Sequence, residues 1–111
     1  MNLPDQIKQE SIKKMVEIAK SMINEDLNLI EGSREIHRLR FSADNPEDDV
    51  FNTFILTVSD TDDIPLGENV RKNYGSDYLK EADEKMNRYL DHMKQGILES
   101  CQEIIKKYSS K

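Results

Sequence analysis

The sequence predicts an all-α fold, a small helical bundle in which two long terminal helices run antiparallel with short helices between them. Three observations point there. Apolar residues recur at three- and four-residue steps near both ends of the chain. Aromatic residues are few, four Tyr and three Phe with no Trp, while charged residues make up 34% of the 111, a composition better suited to amphipathic helices around a thin core than to a sheet. The one β-branched stretch, Phe54-Ile55-Leu56-Thr57-Val58, has no second strand to pair with. The length suits one domain with a single modest core.

The first helix begins near Pro4, which loses nothing at the first turn, with Asp5 at the positive end of the dipole. Its apolar seam is Ile7, Ile12, Met15, Ile18, Ala19, Met22 and Ile23, opposite Lys8, Lys13, Lys14, Glu17 and Lys20. Asn24-Glu25-Asp26 ends or bends it. Leu27, Leu29, Ile30, Ile36 and Leu39 lie on a second segment interrupted at Gly32-Ser33, with Ser33 placed to cap a helix from Arg34 to about Phe41. Asn45 in the cap, Pro46 at the first position and three acids after it mark a further helix start. Val50, Phe51, Phe54, Ile55 and Val58 continue that helix. A loop punctuated by Pro65 and Gly67 follows, then a short turn to Tyr74. Ser76 is the expected cap of the longest helix, which reaches about Tyr108 along Leu79, Ala82, Met86, Tyr89, Leu90, Met93, Ile97, Cys101, Ile104, Ile105 and Tyr108. Gly96 lowers its helix propensity by about 1 kcal/mol relative to Ala and suggests a close helix contact.

Charge is the other landmark. Between Phe41 and Val70 the chain carries eight carboxylates (Asp44, Glu47, Asp48, Asp49, Asp60, Asp62, Asp63 and Glu68) and no Lys or Arg, so the net charge of −6 comes from this middle third. The two acidic loops bracket an element roughly 14 Å long, and their charge is expected to be displayed together. Such a face attracts a cation or a basic protein surface and repels nucleic acid and anionic lipid. No basic stripe with interleaved aromatics exists to neutralise phosphates. The lone cysteine, Cys101, permits no internal disulfide and fits a reducing compartment. The N-terminal residues lack the basic and apolar regions of a signal peptide. No apolar run approaches the ~18 residues needed to span a bilayer. A cytoplasmic protein with no membrane contact is expected.

Catalytic and metal motifs fail on inspection. An EF-hand loop opening at Asp60 and Asp62 would need an oxygen ligand at 64, Gly at 65 and Glu at 71, and the chain has Ile64, Pro65 and Arg71. His37 and His92 follow Arg34 and Tyr89 at three residues, not the Glu of a carboxylate-bridged site, and neither has a zinc-ligand spacing. Cys101 lies on an apolar seam without a local base, as a buried, inert thiol would. No catalytic residue, metal or cofactor is assigned. Arg34, Arg38 and Arg40 form a small basic cluster, with Arg34 and Arg38 on one helix face. They are read first as internal partners of Asp60, Asp62, Asp63 or Glu68, and second as an anion site.

Ser59-Asp60-Thr61-Asp62-Asp63-Ile64-Pro65-Leu66-Gly67-Glu68, with Arg71 and Tyr74 after it, resembles the central motif of an uncharacterised bacterial family, roughly Ser-Glu-Thr-Asp-x-Leu-Pro-x-Gly-Glu and then Arg. Ile30-Glu31-Gly32-Ser33-Arg34 followed by Leu39-Arg40 resembles a second signature of that family, a Gly-x-Arg step before a Leu-Arg pair. The likeness spans most of residues 22–108. It departs at Asp60, where Glu is usual, and at the inserted Asn69-Val70, which leaves the role of Arg71 open. What the resemblance implies is an all-α chain, and no activity comes with it.

By size and charge the chain is also similar to immunity proteins of bacterial toxin systems, an analogy of class. The leading expectation is therefore a non-catalytic protein that neutralises a basic partner, most concretely a nuclease toxin. Asp48, Asp49, Asp60, Asp62, Asp63 and Glu68 are the expected contacts, with Ile64 and Leu66 as exposed apolar anchors. Arg34, Arg38 and Arg71 are expected to form structural salt bridges with the acids. Two alternatives stand beside it: a scaffold or homodimer whose acids and arginines satisfy one another, and a metal-dependent hydrolase using the Asp60–Asp63 loop.

Overall fold

A computed structural model of the chain describes residues 3–109. They form α1 (Leu3–Ile23), α2 (Leu29–Leu39), a 3-10 turn (Arg40–Ser42), a second 3-10 turn (Asp49–Phe51) leading directly into α3 (Asn52–Asp60), the single-turn α4 (Glu68–Arg71), and α5 (Ser76–Tyr108). There is no strand among the described residues, and 51–58 is helical. No helix among them is long and apolar enough to cross a membrane.

α1 and α5 pack antiparallel. Met15, Val16, Ile18, Ala19 and Met22 face Ile97, Cys101 and Ile104 across a buried seam. The Sγ of Cys101 lies 3.7 Å from the Sδ of Met22, and just beyond α1 Glu25 pairs with Lys94 at 3.5 Å. α2 lies against α1 and α3, and α3 returns to α5, so four helices enclose one core. Into it α2 sends Leu29, Ile36 and Leu39, and the α3 region sends Phe51 and Phe54. Phe51 stacks on Tyr108 with centroids 6.3 Å apart. At 33 residues α5 is about 50 Å long, which accounts for the longest dimension of the molecule, 51 Å. α1 spans only about 31 Å, so the first third of α5 runs beyond it and is covered instead by the chain between α3 and α5. Ile7, assigned to the seam by its spacing, is half exposed in the opening turns of α1.

Local chemistry explains where the elements start and stop, including three departures from the sequence expectation. α1 ends in a Schellman arrangement: the N–H of Asp26 donates to the carbonyl of Ser21 and that of Glu25 to Met22, with Glu25 at φ 63° in the position Gly usually holds. α2 is not broken at Gly32-Ser33. It starts earlier, capped by Asn28, whose Oδ1 accepts from the N–H groups of Ile30 (2.8 Å) and Glu31 (3.1 Å). Gly32 is present because α1 passes so close that a Cβ would overlap the buried Met22 side chain. The Ser33 hydroxyl is satisfied by the carbonyl of Leu29 at 2.7 Å. Asn45-Pro46 makes a β-turn closed by the Asp48 N–H on the Asn45 carbonyl (3.1 Å), with Pro at its favoured second position. The cap is therefore Asp48, whose carboxylate accepts from the N–H of Val50 at 2.9 Å. At α5 the cap position is Gly75, without a side-chain cap bond, and Ser76 is the first helical residue.

Gly96 makes no close helix contact, since a Cβ there would meet nothing within 4 Å. Gly96→Ala is accordingly expected to stabilise the fold by about 1 kcal/mol in urea unfolding, the helix-propensity difference. Gly32→Ala should gain less than Gly96→Ala, because the added Cβ forces the buried but flexible Met22 side chain to shift, and that repacking offsets the helix-propensity gain of about 1 kcal/mol.

Candidate functional site

α5 anchors the two acidic loops at widely separated points. Asp48 pairs with Lys107, and Asp44 with Lys8 of α1. Asp63 pairs with Lys85, its two oxygens 2.8 and 2.7 Å from Nζ. Lys85 and Lys107 are about 33 Å apart along a continuous helix, and the 3-10 turn and α3 that separate the acidic loops add up to about 20 Å. Screening at physiological ionic strength acts over ~8 Å, so the acids do not form the single display expected of them. Asp49 is exposed at the Lys107 end, with the Asn52 amide 3.5 Å from its carboxylate.

The other end is built by the chain from Asp60 to Arg71. Thr61 closes α3 with its hydroxyl on the Thr57 carbonyl (2.6 Å) and is fully buried. Carbonyls at a helix C-terminus lack intrahelical donors and favour a cation. Arg34 meets that need: its Nη2 donates to the carbonyls of Thr61 (2.6 Å) and Ile64 (2.9 Å). Asp60 accepts from the Tyr89 hydroxyl at 3.2 Å, and the Tyr78 hydroxyl reaches the Asp63 carbonyl at 3.4 Å. Arg71 grips Asp83 of α5 with two parallel bonds of 2.7 and 2.8 Å and touches the Pro65 carbonyl at 3.3 Å. Gly67 turns the chain at φ 84°, a left-handed conformation suited to glycine. The result is a strap that holds the overhanging start of α5.

Several assignments made from sequence change here. Arg34 bonds backbone carbonyls rather than the loop's carboxylates, because the orphaned end of α3 lies within its reach. Arg38 pairs with Glu35, 2.6 Å away on its own exposed helix face, and does not reach the loop. Arg71 forms a salt bridge, but with Asp83 instead of an acid of the middle third. Ile64 is 2% exposed and is no anchor for a partner: it turns inward beside Ala82 in a recess against α5. Leu66 is half-buried, Glu68 is exposed, and Asp62 is exposed with no ion pair among the described residues. Arg40 goes a third way, buried with Nη1 on the Pro46 carbonyl (2.7 Å) and its guanidinium 4.2 Å from the Phe41 ring centre. The basic cluster therefore does not converge as an anion site.

Next to Asp62 the structure places residues outside the contact set expected from sequence. Tyr74 and Tyr78 stack with centroids 4.9 Å apart and planes 15° from parallel. They remain 44% and 45% exposed, and Val70 beside them is 47% exposed. With Asp62, Leu66 and Arg34 they line a shallow cleft of about 420 Å³. The available signal was the i, i+4 spacing of two tyrosines around Gly75-Ser76.

Lys107 and the Val50 N–H hold the Asp48 carboxyl below its usual range, Lys85 does the same for Asp63, and Arg71 for Asp83. Burial pushes the Cys101 thiol up to about 12, far from a thiolate at neutral pH. Burial, aided by Arg40, lowers the His37 imidazole, which sits edge-on to Phe41. Among the described residues no three His, Cys, Asp or Glu side chains converge to hold a metal.

Two outcomes test this description. Arg34→Met should cost about 1.5–3 kcal/mol in chemical unfolding, the range for a charged donor serving buried carbonyls, while Arg38→Met should change stability by less than about 0.5 kcal/mol. The lowered carboxyls of Asp48, Asp63 and Asp83 bind protons more weakly folded than unfolded, so their stabilisation is full above about pH 4 and is lost as pH falls through their folded values. Thermal melts from pH 7 to pH 2 should show that acid limb, and it should be shallower in the double variant Asp63→Asn with Asp83→Asn.

Compared with protein-family models, curated proteins and solved structures, the chain has no significant match in any of the three, and its function is argued from its own geometry.

Proposed function

We propose that this chain is a non-catalytic binding protein that docks a basic protein partner, most concretely an immunity protein that covers the phosphate-binding surface of a nuclease toxin. The observation that carries this reading is the exposed set Val70, Tyr74 and Tyr78 beside Asp62, whose carboxylate has no ion pair among the described residues. Exposed tyrosines in a shallow cleft are typical anchors of protein interfaces, and the neighbouring acids favour a positively charged partner and speed its approach. Asp62, Leu66 and Glu68 remain in the proposed contact set. Asp48 and Asp49 lie at the far end and belong to a second contact or to none.

A structural role for part of the motif is supported by the bonds of Asp60 to Tyr89 and of Asp63 to Lys85. The two roles divide by residue: Asp63 holds the strap, and Asp62 faces solvent.

Titrating the purified protein with the product of the adjacent gene, at low and high salt, tests the proposal. Binding should weaken with salt and fall at least tenfold in Asp62→Lys, whose melting temperature should stay near wild type. Absent binding, or binding indifferent to Asp62→Lys, would overturn it.

A further inference from the structure

We infer that the cleft between the 61–67 loop and the Tyr74–Tyr78 pair is a slot for an arginine side chain of the partner. This rests on the reading of the same face as the docking surface for a basic protein. Three features of the slot select the ligand. The stacked rings of Tyr74 and Tyr78 are each nearly half exposed and line the cleft, and the negative face of an aromatic ring attracts a cation. Leu66 and Val70 line the same cleft and offer an apolar path for the three methylenes of an arginine stem. Asp62 supplies a carboxylate with no ion pair among the described residues.

Charge decides between cation and anion. Arg34 also lines the cleft, but one of its guanidinium nitrogens is held by the Thr61 and Ile64 carbonyls. Around it the loop and the single turn of α4 place Asp60, Asp62, Asp63 and Glu68 against Arg34 and Lys85, while the charge of Arg71 is matched by Asp83. The local balance stays negative, which disfavours a carboxylate or phosphate guest. Between the two cationic side chains, a planar guanidinium can stack on a tyrosine ring and pair with a carboxylate at once. The compact, strongly hydrated ammonium of lysine cannot stack. The bonding within the strap fixes the slot: the Lys85 pair, the Arg71–Asp83 pair and the Tyr78 hydroxyl on the Asp63 carbonyl set its walls.

The probe is a hexa-arginine peptide titrated into the full-length protein, with hexalysine of equal charge as control, followed by calorimetry and by NMR shifts of the tyrosine rings. Hexa-arginine should bind at least fivefold more tightly than hexalysine and shift the ring signals of Tyr74 and Tyr78. Tyr78→Leu and Asp62→Asn should each remove most of that preference. Helical circular dichroism and the melting temperature verify that each variant is folded, and Tyr74→Leu serves if Tyr78→Leu is not. Equal affinity for the two peptides, or an unchanged preference in the folded variants, overturns the slot. If the adjacent gene's product binds wild type and Tyr78→Leu equally well, the docking surface survives and the arginine slot does not. If no basic protein binds but hexa-arginine shows the preference, the slot stands and the partner assignment falls.

Discussion

The antiparallel seam between α1 and α5 is the constraint on which the rest of the molecule depends. Met15, Ala19 and Met22 of α1 are fully buried in one cluster with Ile97, Cys101 and Ile104 of α5. Burial at about 25 cal/mol per Å² makes such a seam the main stabilising term in a thin bundle. It also sets the position of α5, a rod longer than any other element. Lys85, Asp83 and Tyr89 are thereby delivered to one end and Lys107 to the other. Every placement of the middle third, including which acids are neutralised, follows from where that rod lies.

The strap from Asp60 to Arg71 is a consequence. An overhanging helix exposes an apolar edge at Ala82, and the loop covers it with Ile64. To do so the chain must leave α3 abruptly, which strands carbonyls at Thr61 and Ile64. Arg34 resolves that cost from a third helix. The acidic motif therefore has a structural interior and a solvent-facing exterior. Its backbone, Thr61, Ile64 and Asp63 hold the fold, while Asp62, Leu66 and the adjacent tyrosine pair face outward.

The failures of the sequence reading have a shared form. Gly32-Ser33 suggested a break because glycine and serine are usual at helix ends, yet the packing of Met22 favours that glycine inside α2. Asn45-Pro46 carried the composition of a helix start and made the turn that precedes one. Ile64 reads as exposed from its polar loop, yet a loop's burial depends on what lies beneath it. Arg34, Arg38 and Arg40 were grouped by proximity in the chain, yet one serves α3, one its own helix and one the Asn45-Pro46 turn. The tyrosine pair was legible only as a spacing, since exposure has no sequence signature.

By itself the sequence determined the helical class, the amphipathic seams of the two terminal helices and the burial of Cys101, because a period of 3.6 residues is a local property that the final packing has to respect. Only the tertiary structure decided which charges are engaged and which are free. The partners of Asp63, Asp60 and Asp48 stand 22, 29 and 59 residues away. Ion pairs and hydrogen bonds act over a few ångströms, so no count of residues along the chain shows which of them will meet.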